Sequence, residues 1–248
     1  PAQELERIEA GLRAALAPYV DLRGVREVLL QQELGGLVNQ LERLRFQVRW
    51  SHTPRVPATS VLGHTMTVAA FSWFFSRSVG ACPRRQFNNF FCGLFHDLPE
   101  AVTRDIVSPV KRATPSFPQI VKQVEEEVVG EELMPLIDPR LHEQIHFYID
   151  DEFASRVLVD GVRRTVSSEE IGESWNEDRY DPIDGELIRA ADDFSAYLEA
   201  SQSIRYGIRS HFLQGGVDRI RSEYGNAMVA GLPIGELIAS VPTGTEEI

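Results

Sequence analysis

The stretch FCGLFHDLPEAVTRDIVSPVK, from Phe91 to Lys111, gathers the side chains of this sequence best suited to chemistry. His96 and Asp97 stand side by side after an apolar run, and Glu100, Asp105 and Lys111 follow within about four helical turns. An imidazole nitrogen and a carboxylate oxygen together suit Mn, Co, Fe or Zn; an all-oxygen Mg site has no use for a histidine. Adjacent residues of a helix point about 100° apart, so this pair can share an ion only at a helix end or with ligands from other segments. A bare His-Asp dipeptide is also what a buried histidine beside a helix-terminal aspartate looks like. Leu94 and Phe95 run directly into the pair, however, and two polar groups on such an apolar segment are costly unless a metal or hydrogen bonds satisfy them.

Further ligands can be sought on segments of the same character. His64 lies in LGHTMTVAAFSWFF, where Val61, Leu62, Val68, Phe71 and Phe75 predict a largely buried helix. A lone histidine in that setting is more often a satisfied core residue. Asp192 and Asp193 lie in ELIRAADDFSAYLEA, again an apolar helical run in which acids need partners. Periodicity does not choose between these two aspartates.

A histidine on one helix, His-Asp on a second and an aspartate on a late helix resembles the H…HD…D pattern of the HD-domain metal-dependent phosphohydrolases, matched here by His64, His96, Asp97 and Asp192. More narrowly the chain is similar to the bacterial YfbR-like 5'-deoxynucleotidases, in HDLPE, Asp105 and the Pro109-Val110-Lys111 run, and in RAADDFSAYL. That alignment makes Asp192 the ligand and leaves Asp193 outside the metal site. Arg49 and Trp50 lie where that family places a phosphate-contacting arginine and a tryptophan near the sugar. The resemblance covers roughly residues 37 to 210. It implies one divalent transition ion on His64, His96, Asp97 and Asp192, proton work by Glu100 and Asp105, substrate contacts from Arg49, Trp50 and Lys111, and a homodimer. The implied reaction releases inorganic phosphate from a (deoxy)nucleoside 5'-monophosphate. Two departures stand out: Gly63 replaces the acidic residue usual before the first histidine, and 161–185 reads as an insertion.

The rival readings use the same ligands. A deoxynucleoside triphosphate triphosphohydrolase would grip more phosphates, and the insertion contains Arg163, Arg164 and Arg179. Guanosine tetraphosphate hydrolases usually show HDxxED, whereas Ala101 follows Glu100 here, and the HD-GYP signature of cyclic dinucleotide phosphodiesterases is missing. A non-catalytic regulatory or nucleotide-binding HD protein is the remaining alternative.

Helices must position these groups, and the patterning is almost entirely helical: an all-α HD-domain bundle with an N-terminal extension. The expected divisions are an N-terminal helical extension at 1–36, the HD domain at 37–210 and a C-terminal helical tail at 211–248 packing on the core. The expected helices include 37–47, 60–79, 84–97, 116–134, 139–160, 184–206 and 212–229, with Gly35 and Gly36 ending an earlier one. Thr165 and Val166 give a faint strand signal inside a polar run read as loop. The 248 residues, 43% hydrophobic and 25% charged, suit one sizeable core. A net charge of −12 argues against binding a nucleic-acid polymer. With no membrane-spanning run, no signal pattern and only Cys82 and Cys92, the expectation is a cytoplasmic protein, and the resemblance implies a small nucleotide as its substrate.

Overall fold

A computed structural model describes residues 34–103 and 117–243, together with Arg7, Ala10, Gly11 and Ala14 of an N-terminal helix. The architecture is a helical bundle: α1 (Gly35–Leu44), α2 (Val61–Ser78), α3 (Pro83–Phe95), α4 (Glu100–Thr103), α5 (Phe117–Val128), α6 (His142–Ile149), α7 (Gly185–Arg205), α8 (His211–Tyr224) and α9 (Ile234–Ser240). A hairpin of β1 (Arg156–Val159) and β2 (Val162–Thr165) interrupts the helices between α6 and α7.

Three helices carry the site, and each has a local reason to begin where it does. The Ser60 hydroxyl caps α2 by accepting from the Gly63 amide at 3.0 Å. Pro83 opens α3, where its missing N–H costs nothing. Asp184 caps α7 by accepting from the Leu187 amide at 3.1 Å. The Asp184 carboxylate also meets the Arg85 guanidinium of α3 in a fully buried ion pair and accepts from the Ser168 hydroxyl. The starts of α3 and α7 are thereby tied together.

Two apolar clusters lie around α7. On one side Val68 and Phe75 of α2 meet Leu187, Phe194 and Tyr197 of α7, with Leu213, Val217 and Ile220 of α8 closing the layer. On the other, Cys92, Phe95 and Leu98 pack with Ile145, Tyr148 and Ile188. Close approach of α2 and α3 depends on Gly93: a Cβ there would fall 3.1 Å from the Ala69 Cα and 3.0 Å from the Ser72 Oγ.

Several boundaries differ from the sequence expectation. The run expected as one helix over 139–160 is a 3₁₀ turn (Pro139–Leu141), α6, and then β1, which pairs antiparallel with β2 in the segment read as loop. The hairpin turns at Asp160 and Gly161, both at positive φ (53° and 77°), which is the Asp-Gly signature of a two-residue turn. Gly35 and Gly36 form the first turn of α1, which the sequence expectation began at 37. Gly36 is needed there for space, since a Cβ would lie 2.0 Å from the Leu136 carbonyl oxygen. The expected helix at 25–34 lies outside the described residues.

Candidate metal centre

His64 is fully buried on α2, and His96 is buried at the C-terminal end of α3. Their rings meet edge-on, with centroids 5.6 Å apart and an interplanar angle of 62°. Asp192 projects from α7 into the same space, with Oδ1 2.9 Å from His64 Nε2. One ligand atom from each of His64, His96 and Asp192 lies within 4.8 Å of the others. Three distant segments therefore converge on one point, and the donors are two imidazoles and a carboxylate, the mixture that first-row transition ions prefer.

Asp97 stands beside this cluster, Oδ2 3.3 Å from His96 Nε2. That oxygen is buried and has no hydrogen-bond partner, a costly state for a carboxylate that a cation would relieve. His96 is oriented from behind by its own helix: Nδ1 lies 2.8 Å from the Gly93 carbonyl, so Nδ1–H donates there and Nε2 faces the cluster. His64, His96 and Asp192 thus form a divalent transition-metal-binding site, with Asp97 at its edge.

The surrounding charges are strongly coupled. Burial opposes the charge of His96, but Asp97 and then Asp192 push its pKa up to about 10. Burial would raise Asp97, yet His96 and Arg49 hold it well below the usual carboxylate range. Asp192 is likewise lowered against the effect of burial, chiefly by its bond to His64. These shifts describe donors arranged to hold positive charge.

The segment before α2 brings a guanidinium and an indole to the same place. The Arg49 amide donates to the Thr59 carbonyl at 2.9 Å and the Val61 amide to the Gln47 carbonyl at 2.9 Å, so this segment runs antiparallel to the approach to α2. Arg49 Nη1 lies 3.8 Å from Asp97 Oδ2 and Nε 3.9 Å from Glu199 Oε2, too long for hydrogen bonds. Burial acts to lower its pKa, but Asp97, Glu199 and Asp192 raise it, so the guanidinium is held charged. Trp50 has φ 60°, a left-handed conformation that costs a bulky residue about 1–3 kcal/mol. Its Nε1–H donates to Glu199 Oε2 at 2.8 Å, and its ring lies against Gly216, where a Cβ would be 3.0 Å away.

Of the residues singled out in the sequence, His64, His96, Asp97, Asp192, Arg49 and Trp50 converge. Glu100 is buried at the start of α4 and lines a cleft of about 540 Å³ together with His96 and Asp97. Asp105 and Lys111 lie outside the described residues. Asp193 turns away from the centre: Oδ1 accepts from Arg219 at 2.9 Å and Oδ2 from the Tyr224 hydroxyl at 3.1 Å. Sequence reasoning missed Glu199, a buried acid whose carboxylate contacts His64, Trp50 and Arg49. Its signal was its position seven residues after Asp192, two turns along the same helix face.

The chain belongs to the HD-domain family, whose profile matches residues 41–221. Among solved structures, an HD-domain phosphohydrolase from Listeria innocua superposes with a TM-score of 0.62 at 16% identity, covering 84% of this chain and 87% of its own. An HD phosphohydrolase of cyanophage S-2L, bound to dA and one catalytic Zn²⁺ ion, gives a TM-score of 0.49 at 14% identity, over 81% of this chain and 91% of that one. A search of curated protein sequences returns no match. Fold and donor cluster together define an HD-domain protein with a divalent transition-metal site built on His64, His96 and Asp192. No helix among the described residues is long and apolar enough to cross a membrane.

Proposed function

We propose that this HD-domain protein is a metal-dependent phosphohydrolase that cleaves the phosphate ester of a (deoxy)nucleoside 5'-monophosphate, releasing inorganic phosphate. The observation that carries the reading is Arg49. A guanidinium that is mostly buried and held charged, with no hydrogen-bond partner for Nε and its ion-pair contacts at 3.8 and 3.9 Å, stands beside the metal ligands. Planar donors in that state suit a phosphate, which they can grip in a bidentate way.

His64, His96, Asp97 and Asp192 would hold the ion, which when bound supplies Lewis-acid polarisation of a phosphate oxygen and lowers the pKa of water. Arg49 neutralises phosphoryl oxygens as the ester bond lengthens, and Lys111 is assigned the same task. Glu100 and Asp105 share the proton work, one taking a proton from the attacking water and the other protonating or orienting the departing sugar oxygen. Trp50, fixed by Glu199, offers an aromatic surface to the nucleoside.

One phosphate fits the surroundings better than three. The cleft at His96 and Asp97 is lined by Glu125, Glu126, Asp150, Asp151 and Glu152, with His146 and Arg189 the further basic side chains in its lining among the described residues. A lining of that composition offers additional phosphates few cationic partners among the described residues. Two arginines of the insertion are engaged elsewhere, Arg163 over the Phe147 ring and Arg179 with Glu177 at 3.0 Å. A homodimer and a cytoplasmic location complete the proposal.

The test is a panel of nucleoside mono-, di- and triphosphates assayed with Mn, Co or Mg and with a chelator. Chelator-sensitive release of inorganic phosphate from the monophosphates supports the reading. Tripolyphosphate release from triphosphates would replace it with the triphosphohydrolase, and silence across the panel with a non-catalytic binder.

A further inference from the structure

Glu199 is buried on α7 two turns beyond Asp192, and its two carboxylate oxygens serve different groups. Oε1 lies 3.2 Å from His64 Nδ1. Oε2 accepts from Trp50 Nε1–H at 2.8 Å and lies 3.9 Å from Arg49 Nε. Ser195, one turn before it, also approaches His64 Nδ1, with Oγ at 3.3 Å. On the main chain, the Glu199 carbonyl faces Arg55 Nη1 at 3.5 Å.

A carboxylate is an acceptor only, so the contact with Glu199 keeps a proton on Nδ1; Nε2, 2.9 Å from Asp192 Oδ1, donates to that carboxylate when no ion is bound and is the nitrogen that would give up its proton to an ion. His64 is wholly buried, so the partner behind it governs both its tautomer and its ring angle. The other oxygen meanwhile holds the indole that occupies a left-handed backbone position, and with it the segment bearing Arg49. One side chain thus braces the metal ligand and the phosphate-binding arm at once.

We infer that Glu199 is a positioning residue that sets the geometry of His64 toward the metal and of Arg49 and Trp50 toward the phosphate. The inference rests on the reading of His64 as a metal ligand and Arg49 as a phosphate contact. Glu199→Gln tests it with side-chain volume kept. An amide offers one acceptor oxygen where the carboxylate offers two, and its NH₂ then faces an N–H donor on the other side. At least one of the two braces is lost.

The 248-residue chain is stripped with chelator and titrated with Mn²⁺, free ion being read by electron paramagnetic resonance. Inorganic phosphate is then titrated calorimetrically into the Mn-loaded protein. Glu199→Gln is expected to weaken Mn²⁺, phosphate or both by about 10- to 100-fold, the range for partners that orient a metal ligand. Asp193→Asn, an equivalent acid-to-amide change on the same helix that faces Arg219 and Tyr224, is expected to leave both affinities within about twofold of the parent.

The inference is overturned if Glu199→Gln binds both probes within twofold of the parent, or if Asp193→Asn shows equal losses. Should Glu199→Gln fail to fold, Glu199→Asp, which keeps the charge but draws it back by one methylene, takes its place under the same criteria. A parent chain that binds no Mn²⁺ would overturn the metal reading together with this one. A parent that binds both probes but hydrolyses no nucleotide would overturn only the proposed substrate.

Discussion

Asp192 and Asp193 are adjacent on α7 and answer to different partners, so paired substitutions separate the metal site from its scaffold. Asp192→Ala should abolish metal retention, read as metal content after gel filtration, because a ligand 2.9 Å from His64 Nε2 is removed. Asp193→Ala should keep the metal but lose about 1–3 kcal/mol of stability, since the Arg219 guanidinium and the buried Tyr224 hydroxyl lose their acceptor. The reverse pattern would sink the ligand assignment. The pH dependence follows from His96, whose pKa is pushed up to about 10 when no metal competes for its lone pair. A histidine raised in the folded state contributes stability that is fully present below its unfolded value of about 6.5 and lost as pH rises through the folded one. The melting temperature of chelator-treated protein should therefore fall between pH 7 and about 10, as followed by scanning fluorimetry. Metal uptake must displace the same proton, so apparent metal affinity should rise with pH. A melting temperature that climbs over that window would contradict the coupling. At this scale His64, His96 and the Asp192-Asp193 pair drew attention because His and Asp are out of place in apolar helices, and the family resemblance selected Asp192 as the ligand. Glu199 did not, because one acid at a helix position is ordinary until its three contacts are seen.

Among the elements, the spacing of α2 and α3 sets the distance between the two histidines. Gly93 permits that spacing, and its carbonyl also orients His96. Gly93→Ala would press a methyl onto the Ala69 backbone, which cannot step aside as a side-chain tip can. The expected cost is about 1–3 kcal/mol in denaturant unfolding, accompanied by weaker metal binding as the histidines separate. Unchanged metal affinity in a folded Gly93→Ala protein would show that the two helices do not set the site. Periodicity located α2, α3 and α7 within a few residues because each buries a continuous apolar stripe. It failed between α6 and α7, where the apolar run Arg156–Val159 fits the end of a helix as well as a strand. Asp160-Gly161 between Val159 and Val162 was the available hairpin signal, and the longer helical run before it concealed its meaning. Gly36 in the first turn of α1 permits close approach to the Leu136 backbone, a tertiary demand that no local rule contains.

At the level of the whole molecule, the proposed substrate is an anion and the chain carries a net charge of −12, so binding it would require positive charge concentrated in one place. Under the proposed function Arg49 and the metal-binding cluster provide that focus, and among the charged residues described in the cleft beside them acids outnumber bases, which is why a substrate with a single phosphate is proposed over one with three. The family and the fold follow from how far apart the ligands lie in sequence, on α2, α3 and α7, and that order was readable before any contact was known. The number of phosphates was not, because it depends on which charges reach the cleft wall. The most direct test is a competition in one vessel: equal concentrations of dAMP and dATP with the Mn-loaded protein, the anionic products separated by ion chromatography. The account predicts inorganic phosphate arising from dAMP, abolished by chelator and by Asp192→Ala, with dATP left intact. Tripolyphosphate accumulating from dATP while dAMP persists would contradict it.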